Sequence, residues 1–367
     1  MKFVIAGGGT AGHVFPAVAL ADRLRGDLGA EISFVGSASG QEAAIVPKAG
    51  YEFHAVEAAP LLREFSIRAA RAPFVALGSV RASGPLVAGA DVVVGMGGYV
   101  SVPAVLAAAR ARIPIVVHEQ NAIPGLANRL LARRAASVGV SFEDARSRFP
   151  TRVPVALTGN PVRSRVLDVS TRRAELAAEA WEALELEPGR TTVVVLGGSQ
   201  GALHVDRSVA GGLHELRDRG DLQLIVLTGP AHLGVLEDAA EPETALRVRA
   251  LPFLDRIELA YAVADLAVAR AGATSIAELT VCGVPSILVP YPHATENHQE
   301  ANARELERAG AAEILLDRDL SPRLLVRRIL ALVDDDERRL KMAGSAVAWS
   351  KPDAAQRLAS LVLEAAA

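Results

Sequence analysis

Near its amino end the chain reads GGGTAGH, residues 7–13, directly after the apolar run KFVIA and directly before a stretch with helical spacing. Gly7, Gly9 and Gly12 fit G-x-G-x-x-G, which between a strand and a helix cradles phosphate on backbone N–H groups. The dinucleotide form of this motif also needs an acidic residue about 20 positions on, at the end of the second strand, for the ribose hydroxyls. Here that strand, EISFVG, runs into Ser37-Ala38-Ser39, with neither a carboxylate nor an arginine. Glu42 comes later and is as readily a solvated helix residue. His13 stands where a cofactor-binding helix would begin with small or apolar residues. The loop is therefore expected to hold a phosphate or another oxyanion, and not NAD.

A second candidate lies in DLAVARAGATSIAELTVCGVP, where a strand leads through Gly272, Ala273, Thr274 and Ser275 into a helix. The first-turn N–H groups and the positive end of the helix dipole suit a diphosphate. Glu278 follows six residues after Gly272, or roughly 9 Å along a helix, about the span from a diphosphate to a ribose. A carboxylate there can accept bonds from both ribose hydroxyls, although a surface glutamate on an amphipathic helix reads the same way. The next segment, VPYPHATENHQEANA, is rich in His, Asn and Gln and poor in charge. His293, Asn297, His298, Gln299 and Asn302 can bond sugar hydroxyls without burying charge; an exposed turn with a helix cap is the plainer alternative. Side by side, the two segments predict a site for a nucleotide-diphosphate sugar.

Such turns need rigid supports. KFVIAG, EISFVG, DVVVGMG and IPIVVHE read as buried strands in the first part, and TTVVVLGG, LQLIVLTG, LRVRALPF, DLAVARAG and PSILVP in the second. Helical spacing fills the gaps, as in PAVALADRLRGDLG and SVPAVLAAARAR. This alternation predicts an α/β fold with parallel sheets covered on both faces. The series restarts near Thr191 after a charged helical stretch from about Ser170 to Glu187, and Gly159, Asn160 and Pro161 interrupt regular structure. We expect two doubly wound, Rossmann-like domains, 1–160 and 161–367, facing an interdomain cleft, with the last helix (about 345–367) packed back on the first domain. Glycine turns follow strands at VIAGGGTAG, VVGMGGYVS, VVLGGSQGA and VARAGATSIAE. Small residues suit any such turn, but ligands of open α/β sheets bind beyond the carboxyl ends of the strands, so these turns are expected to line the cleft.

Composition agrees. At roughly 150 residues per domain, 367 residues allow two domains, and with 50% hydrophobic but only 4% aromatic residues the cores must be Ala, Val, Leu and Ile. A net charge of −3 offers no field for nucleic acid. Cys282 is the sole cysteine, which excludes a disulfide framework and a cysteine metal cluster. The first residues read as a strand and glycine loop, not a secretory leader, and no apolar run approaches the ~20 residues of a membrane span. A cytosolic protein is expected, with attachment to a membrane surface left open.

Taken in order, GGGTAGHVFPA, GMGGYVSVPAVLAA, HEQNAIPGLANR, TGNPVR, LGGSQGA, RAGATSIAEL and HATENHQEANA resemble the MurG family of peptidoglycan glycosyltransferases over nearly the whole chain. The resemblance implies a GT-B fold and transfer of N-acetylglucosamine from UDP-N-acetylglucosamine to lipid I, the undecaprenyl-diphosphate-linked acceptor, giving lipid II. It also implies roles. Thr10, Ala11 and Gly12 would line the donor sugar and acceptor diphosphate, and Gly9, Gly97, Gly98 and Tyr99 would meet the acceptor. Asn121 and Asn128 would reach the GlcNAc moiety, Arg163 and Ser199 the donor diphosphate, and Leu254 the uracil. Gly272 to Ala277, including Ala273, Thr274 and Ser275, would cradle the diphosphate, with Glu278 on the ribose. Gln299 would bind sugar hydroxyls, with His298 and Asn302 nearby. Where the family shows T-G-G-H, this chain has Thr10-Ala11-Gly12-His13, and the methyl of Ala11 demands a negative φ there.

An α-linked donor and β-linked product imply one in-line displacement, with a general base for the attacking 4-hydroxyl. His13 is the candidate, kept neutral by the positive helix end; alternatively it only hydrogen-bonds phosphate or sugar. Departing UDP would be stabilised by helix N–H groups and Arg163. No Asp-x-Asp pair accompanies these motifs, so no protein-held metal or other cofactor is expected, with room left for Mg²⁺ on the diphosphates. A lipid acceptor implies a peripheral protein on the cytoplasmic face of the cell membrane. Leu61 to Ser83 mixes Leu62, Phe65, Ile67, Phe74, Val75 and Leu77 with Arg63, Arg68, Arg71 and Arg81, against Glu64 alone. That mixture suits an anionic interface, and equally a core-facing helix with a solvated arginine face. Cell-wall or division proteins are further candidate partners. The rival readings are a UDP-N-acetylglucosamine 2-epimerase or other soluble UDP-sugar enzyme, which would need no basic apolar patch, and a non-catalytic UDP-sugar sensor, which could dispense with His13.

Overall fold

The computed structural model describes residues 1–57, 67–198, 201–239 and 244–367, with the side chains of 67–76 outside that description. The chain forms two compact units, Met1–Arg163 together with Lys351–Ala367, and Ser164–Ser350.

In the first unit the strands are β1 (Lys2–Ala6), β2 (Glu31–Gly36), β3 (Glu52–Ala55), β4 (Val92–Gly95), β5 (Ile115–Glu119), β6 (Ser137–Val140) and β7 (Val155–Leu157). Between and after them come α1 (Ala11–Leu28), α2 (Glu42–Lys48), α3 (Ile67–Val87), α4 (Val102–Ala111) and α5 (Leu126–Leu131). The sheet order is β3-β2-β1-β4-β5-β6-β7, all parallel. Alternation along the buried strands sorts side chains onto two faces. Phe3, Ile5, Val92 and Val94 join Leu20 and Leu24 of α1. Val4, Ala6, Val93 and Val117 join Ala104, Val105 and Ala108 of α4.

The second unit contains α6 (Ser164–Leu167), α7 (Val169–Ala183), β8 (Thr191–Leu196), α8 (Leu203–Leu216), β9 (Leu222–Leu227), α9 (Leu233–Glu237), β10 (Arg247–Leu251), α10 (Ile257–Val263), β11 (Leu266–Ala269), α11 (Ala273–Val281), β12 (Ser286–Leu288), α12 (His298–Arg308), β13 (Ala312–Ile314), α13 (Pro322–Val333) and α14 (Asp336–Trp349). Its strands run β10-β9-β8-β11-β12-β13, again parallel. In both sheets the first strand lies between the second and the fourth, so successive connections leave it in opposite directions. That reversal is the topological switch point at which doubly wound sheets bind ligands.

The long apolar runs all become strands, whereas β3, β6, β7 and β13 have no counterpart in the sequence reading. Each is short, and EFHA, SVGV, VAL and AEI are too brief or too mixed to show a period. The last helix, α15 (Ala354–Ala366), belongs to the first unit, where Leu358, Ala359 and Val362 enter the same core as Phe3 and Ile5. Leu358 is fully buried. Leu358→Ala should therefore lower the unfolding free energy by about 2–5 kcal/mol, measured by urea denaturation.

Candidate active site

At the first switch point two glycine turns are pressed together. A Cβ on Gly7 would stand 2.8 Å from Cβ of Met96, and one on Gly98 would stand 2.8 Å from the carbonyl oxygen of Gly8. Only glycine lets the turn after β1 and the turn after β4 approach so closely. Thr10 is the N-cap of α1, with φ −132° and ψ 155°, and its side chain makes no capping bond. Instead its Oγ1 lies 3.2 Å from Nδ1 of His13. A Cβ on Gly97 would meet Nε2 of His13 at 3.2 Å and Nδ2 of Asn128 at 3.3 Å. The imidazole is thus bracketed by Thr10 on one side and the second glycine turn on the other. Ala11 opens α1 and is not among the positive-φ residues, so its methyl is accommodated. Arg163 lays its guanidinium over the ring of Phe15 in α1, 4.2 Å from the centroid, a cation–π contact.

Glu42 is not a solvated helix residue. It is 1% exposed; Oε2 accepts from the Gly9 N–H and Oε1 from the Ser37 N–H, both at 2.8 Å. The Gly9 N–H is therefore committed to a carboxylate and does not face a ligand, which leaves any acceptor contact at Gly9 to its other atoms. Sequence reasoning missed this residue because a glutamate at a helix start is usually exposed.

The segment HEQN at the end of β5 is a buried polar knot. The Gly159 carbonyl can only accept, so Nε2–H of His118 donates to it at 3.0 Å. Nδ1 of His118 then accepts from Nε2 of Gln120 at 3.1 Å, and the same Gln120 nitrogen donates to the Met96 carbonyl at 2.8 Å. His118 is held neutral in one tautomer: burial, and secondarily the nearby His13, push it down to about 4, against the bond to Gly159. Glu119 gathers the following loop. Oε1 accepts from the Asn121 backbone at 2.9 Å and its side chain at 3.3 Å, and Oε2 from the Gly125 backbone at 3.1 Å and Nδ2 of Asn128 at 2.8 Å. Burial pushes the Glu119 carboxyl up while these donors oppose the shift. Nδ2 of Asn128 also donates to the His118 carbonyl at 3.0 Å, so both of its hydrogens are used within the protein. The visible sequence signal for the knot was IPIVVHE itself, an apolar strand that ends in a histidine and an acid.

In the second unit the turn after β8 has positive φ at Gly198 (82°) and Gly201 (76°); Ser199, between them, lies outside the described residues. A Cβ on Gly201 would overlap the Thr228 carbonyl and stand 2.7 Å from Nδ1 of His232. His232 in turn pairs with the fully buried Asp206 at 3.1 Å. Burial pushes the Asp206 carboxyl up to about 6, with His232 opposing the shift. Across the switch point Gly272 is the N-cap of α11, followed by Ala273 and the half-buried Thr274 and Ser275. Glu278 lies on the second turn, buried, and Oε2 accepts from the Tyr261 hydroxyl at 3.0 Å.

The HATENHQEANA loop enters α12 through Glu296 and Asn297, both in the left-handed region. Nδ1–H of His298 donates to the Thr295 carbonyl at 2.8 Å, which leaves Nε2 as its acceptor, and burial lowers its pKa. Oε1 of Gln299 accepts from the Tyr291 N–H at 2.9 Å, so its amide nitrogen is the group left for a sugar hydroxyl. Asn302 is fully buried, and its Nδ2 donates to the Ala271 carbonyl at 3.1 Å, tying α12 to the turn ahead of α11. Leu254 is half-buried.

Residues 3–140 match the glycosyltransferase family 28 N-terminal domain and residues 192–358 its C-terminal domain. The UDP-N-acetylglucosamine–N-acetylmuramyl-(pentapeptide) pyrophosphoryl-undecaprenol N-acetylglucosamine transferase of Halothermothrix orenii is 42% identical over 100% of this chain and 99% of its own. The protein of the same name from Acidothermus cellulolyticus is 42% identical over 100% and 98%. The crystal structure of Acinetobacter baumannii MurG matches with TM-score 0.77 at 26% identity, covering 99% of both chains. A Neisseria meningitidis UDP-GlcNAc 2-epimerase shares the fold, with TM-score 0.69, 13% identity and coverage of 99% and 100%.

The depressed pKa of His118 has a definite pH signature. An unfolded His118 takes up a proton near its ordinary 6.5 and the folded one only near 4, so its contribution is present above 6.5 and is lost as pH falls through that window. Between pH 6.5 and 4 the wild type should lose on the order of 3 kcal/mol more stability than His118→Gln, measured by urea unfolding of both proteins at each pH.

Proposed function

The chain belongs to glycosyltransferase family 28, among its MurG-type N-acetylglucosaminyltransferases, and from that premise we propose how its residues divide the reaction. The enzyme transfers N-acetylglucosamine from UDP-N-acetylglucosamine to N-acetylmuramyl-(pentapeptide) pyrophosphoryl-undecaprenol. The epimerase alternative has only a shared fold in its favour.

His13 serves as general base. In the tautomer in which Nδ1–H donates to Oγ1 of Thr10, 3.2 Å away, it is Nε2 that takes the proton of the acceptor's 4-hydroxyl. The hydroxyl oxygen bonds to the anomeric carbon as the carbon–oxygen bond to phosphate breaks, and UDP leaves with the electron pair. The positive end of α1 disfavours imidazolium before attack, and the neutral His118 adds no competing base in its fixed tautomer. The donor's anchors come from the second unit: the first-turn N–H groups of α11 for the diphosphate, Glu278 for the ribose, and the Gln299 amide and Nε2 of His298 for the sugar. Thr10, Ala11 and Gly12, with Gly97, Gly98 and Tyr99, form the acceptor's side of the chemistry, and Arg163 carries positive charge beside α1. The observation that carries this reading is the placement of His13 on the first turn of α1, at the switch point and oriented by Thr10. Mg²⁺ held by the substrates' diphosphates is compatible with it.

The acceptor's lipid calls for a membrane surface. Among the described residues no helix is long and apolar enough to cross a membrane. Most of the basic apolar segment, including the side chains of Ile67, Arg68, Arg71, Phe74 and Val75, lies outside the described residues, as do Leu61 to Ser66. What is described beside it is a pocket of about 940 Å³ in the first unit, lined by Leu77, Val80, Leu106 and Ile113 together with Arg110, Arg112 and Arg134. Apolar walls rimmed by exposed arginines suit acyl chains under anionic headgroups, at the cytoplasmic face where the acceptor resides.

UDP release from UDP-N-acetylglucosamine should depend strictly on a short-chain lipid I analogue, and His13→Ala should lower kcat by about 10²–10⁴-fold; equal release without acceptor, or an unimpaired His13→Ala, contradicts the proposal. At roughly 1 kcal/mol per arginine, Arg112→Gln/Arg134→Gln should weaken binding to phosphatidylglycerol vesicles about thirtyfold, measured by co-sedimentation.

A further inference from the structure

We propose that Glu42 is a positioning residue for transfer, a buried strut that sets the Gly9–His13 turn; the inference rests on the reading of that turn as the acceptor's side of the site. Two segments, the turn after β1 and the residues just ahead of α2, are cut away at three glycines to admit this one carboxylate. A Cβ on Gly8 or Gly40 would overlap its carboxyl group, and one on Gly36 would stand 2.6 Å from its Cγ. Burying a carboxylate is expensive unless every lone pair of consequence is bonded. Here the compensation is two charge-assisted bonds, to the N–H groups of Gly9 and Ser37 at 2.8 Å each.

The strut acts on the reacting residue through the backbone. Gly9 is exposed and adopts φ +86°, a conformation with little intrinsic preference to hold it, and the bond to Glu42 pins it. Gly9 then delivers Thr10 in its extended conformation, with Oγ1 turned to Nδ1 of His13 rather than to the helix end. Release of Gly9 would free Thr10, and with it the orientation and tautomer of the imidazole. Glu42 also puts negative charge directly behind the Gly9 N–H, so an anionic substrate group is steered along the turn toward Thr10 and the start of α1.

Glu42→Gln tests this. The amide oxygen can accept from only one of the two N–H groups, while its NH₂ meets the other donor to donor, so Gly9 and Ser37 can no longer both be held, and no cavity is made. Misplacement on the 1 Å scale predicts a fall in kcat of about 100-fold. UDP affinity by calorimetry should stay within twofold, since the donor's anchors lie in the second unit. Glu42→Gln added to His13→Ala should slow the reaction no further than His13→Ala alone. A purely structural Glu42 would instead lower the melting temperature and leave kcat per folded molecule unchanged, which overturns the proposal, as would a loss that multiplies with His13→Ala. If Glu42→Gln does not fold, Gly40→Ala keeps the carboxylate but pushes it off Gly9, and the same pattern is required of it; wild-type kcat in a folded Gly40→Ala overturns the proposal. Full activity in His13→Ala would overturn the assignment of the base, while the role of Glu42 stands or falls on the kcat of its own variants.

Discussion

Where β1 and β4 lie side by side, their connections leave in opposite directions and must share a space only as wide as two backbones. The contacts that a Cβ on Gly7 or Gly98 would make measure how narrow that space is. Side chains on the glycines themselves are excluded from it, and the residues just beyond them are Thr10 and His13 on one turn and Tyr99 on the other. In the second unit the turn after β8 is instead crowded by the turn after β9, with Gly201 tight against the Thr228 carbonyl, while Gly272 opens α11 after β11. A parallel sheet with this strand order therefore makes a pair of glycine turns and a helix start twice over, and the chemistry is decided by the few residues that flank them.

Close-packed glycine turns have little conformational preference of their own, and buried carboxylates compensate. Glu42 holds the turn after β1 through two backbone N–H groups. Glu119 holds the loop after β5 through backbone and asparagine donors. Asp206 lies behind the turn after β8, paired with His232. Each is a buried acceptor that ties donors from a turn or its neighbours to one point and so stiffens the local polar network. Rigidity of this kind is what transfer needs, because a base and dipoles fixed in advance do not reorganise as charge develops.

Much of this was legible in the sequence, and the exceptions have physical causes. Parallel strands announce themselves as unbroken apolar runs because both faces are covered, and glycine turns stand out after them. The short strands β3, β6, β7 and β13 do not, since three or four residues carry no period. Motif order identified the family, while residue chemistry alone reached as far as a nucleotide-diphosphate sugar. Glu42 was misread because its burial depends on Gly8, Gly36 and Gly40, a coincidence in space that the spacing of EAAIVPK cannot encode. Asn302 was marked for the substrate from its residue type and Asn128 from the family resemblance, and the structure adds that each donates to the protein's own carbonyls or carboxylate. From sequence, an amide that binds a sugar and an amide that ties two loops look alike.

The central claim is a division of labour: the second unit grips the nucleotide and the first supplies the base. Calorimetric titration of UDP into His13→Ala and Glu278→Ala tests it most directly. Division of labour predicts wild-type affinity in His13→Ala and a loss of at least about 1.4 kcal/mol, tenfold, in Glu278→Ala. Weakened UDP binding in His13→Ala, or undiminished binding in Glu278→Ala, would contradict it.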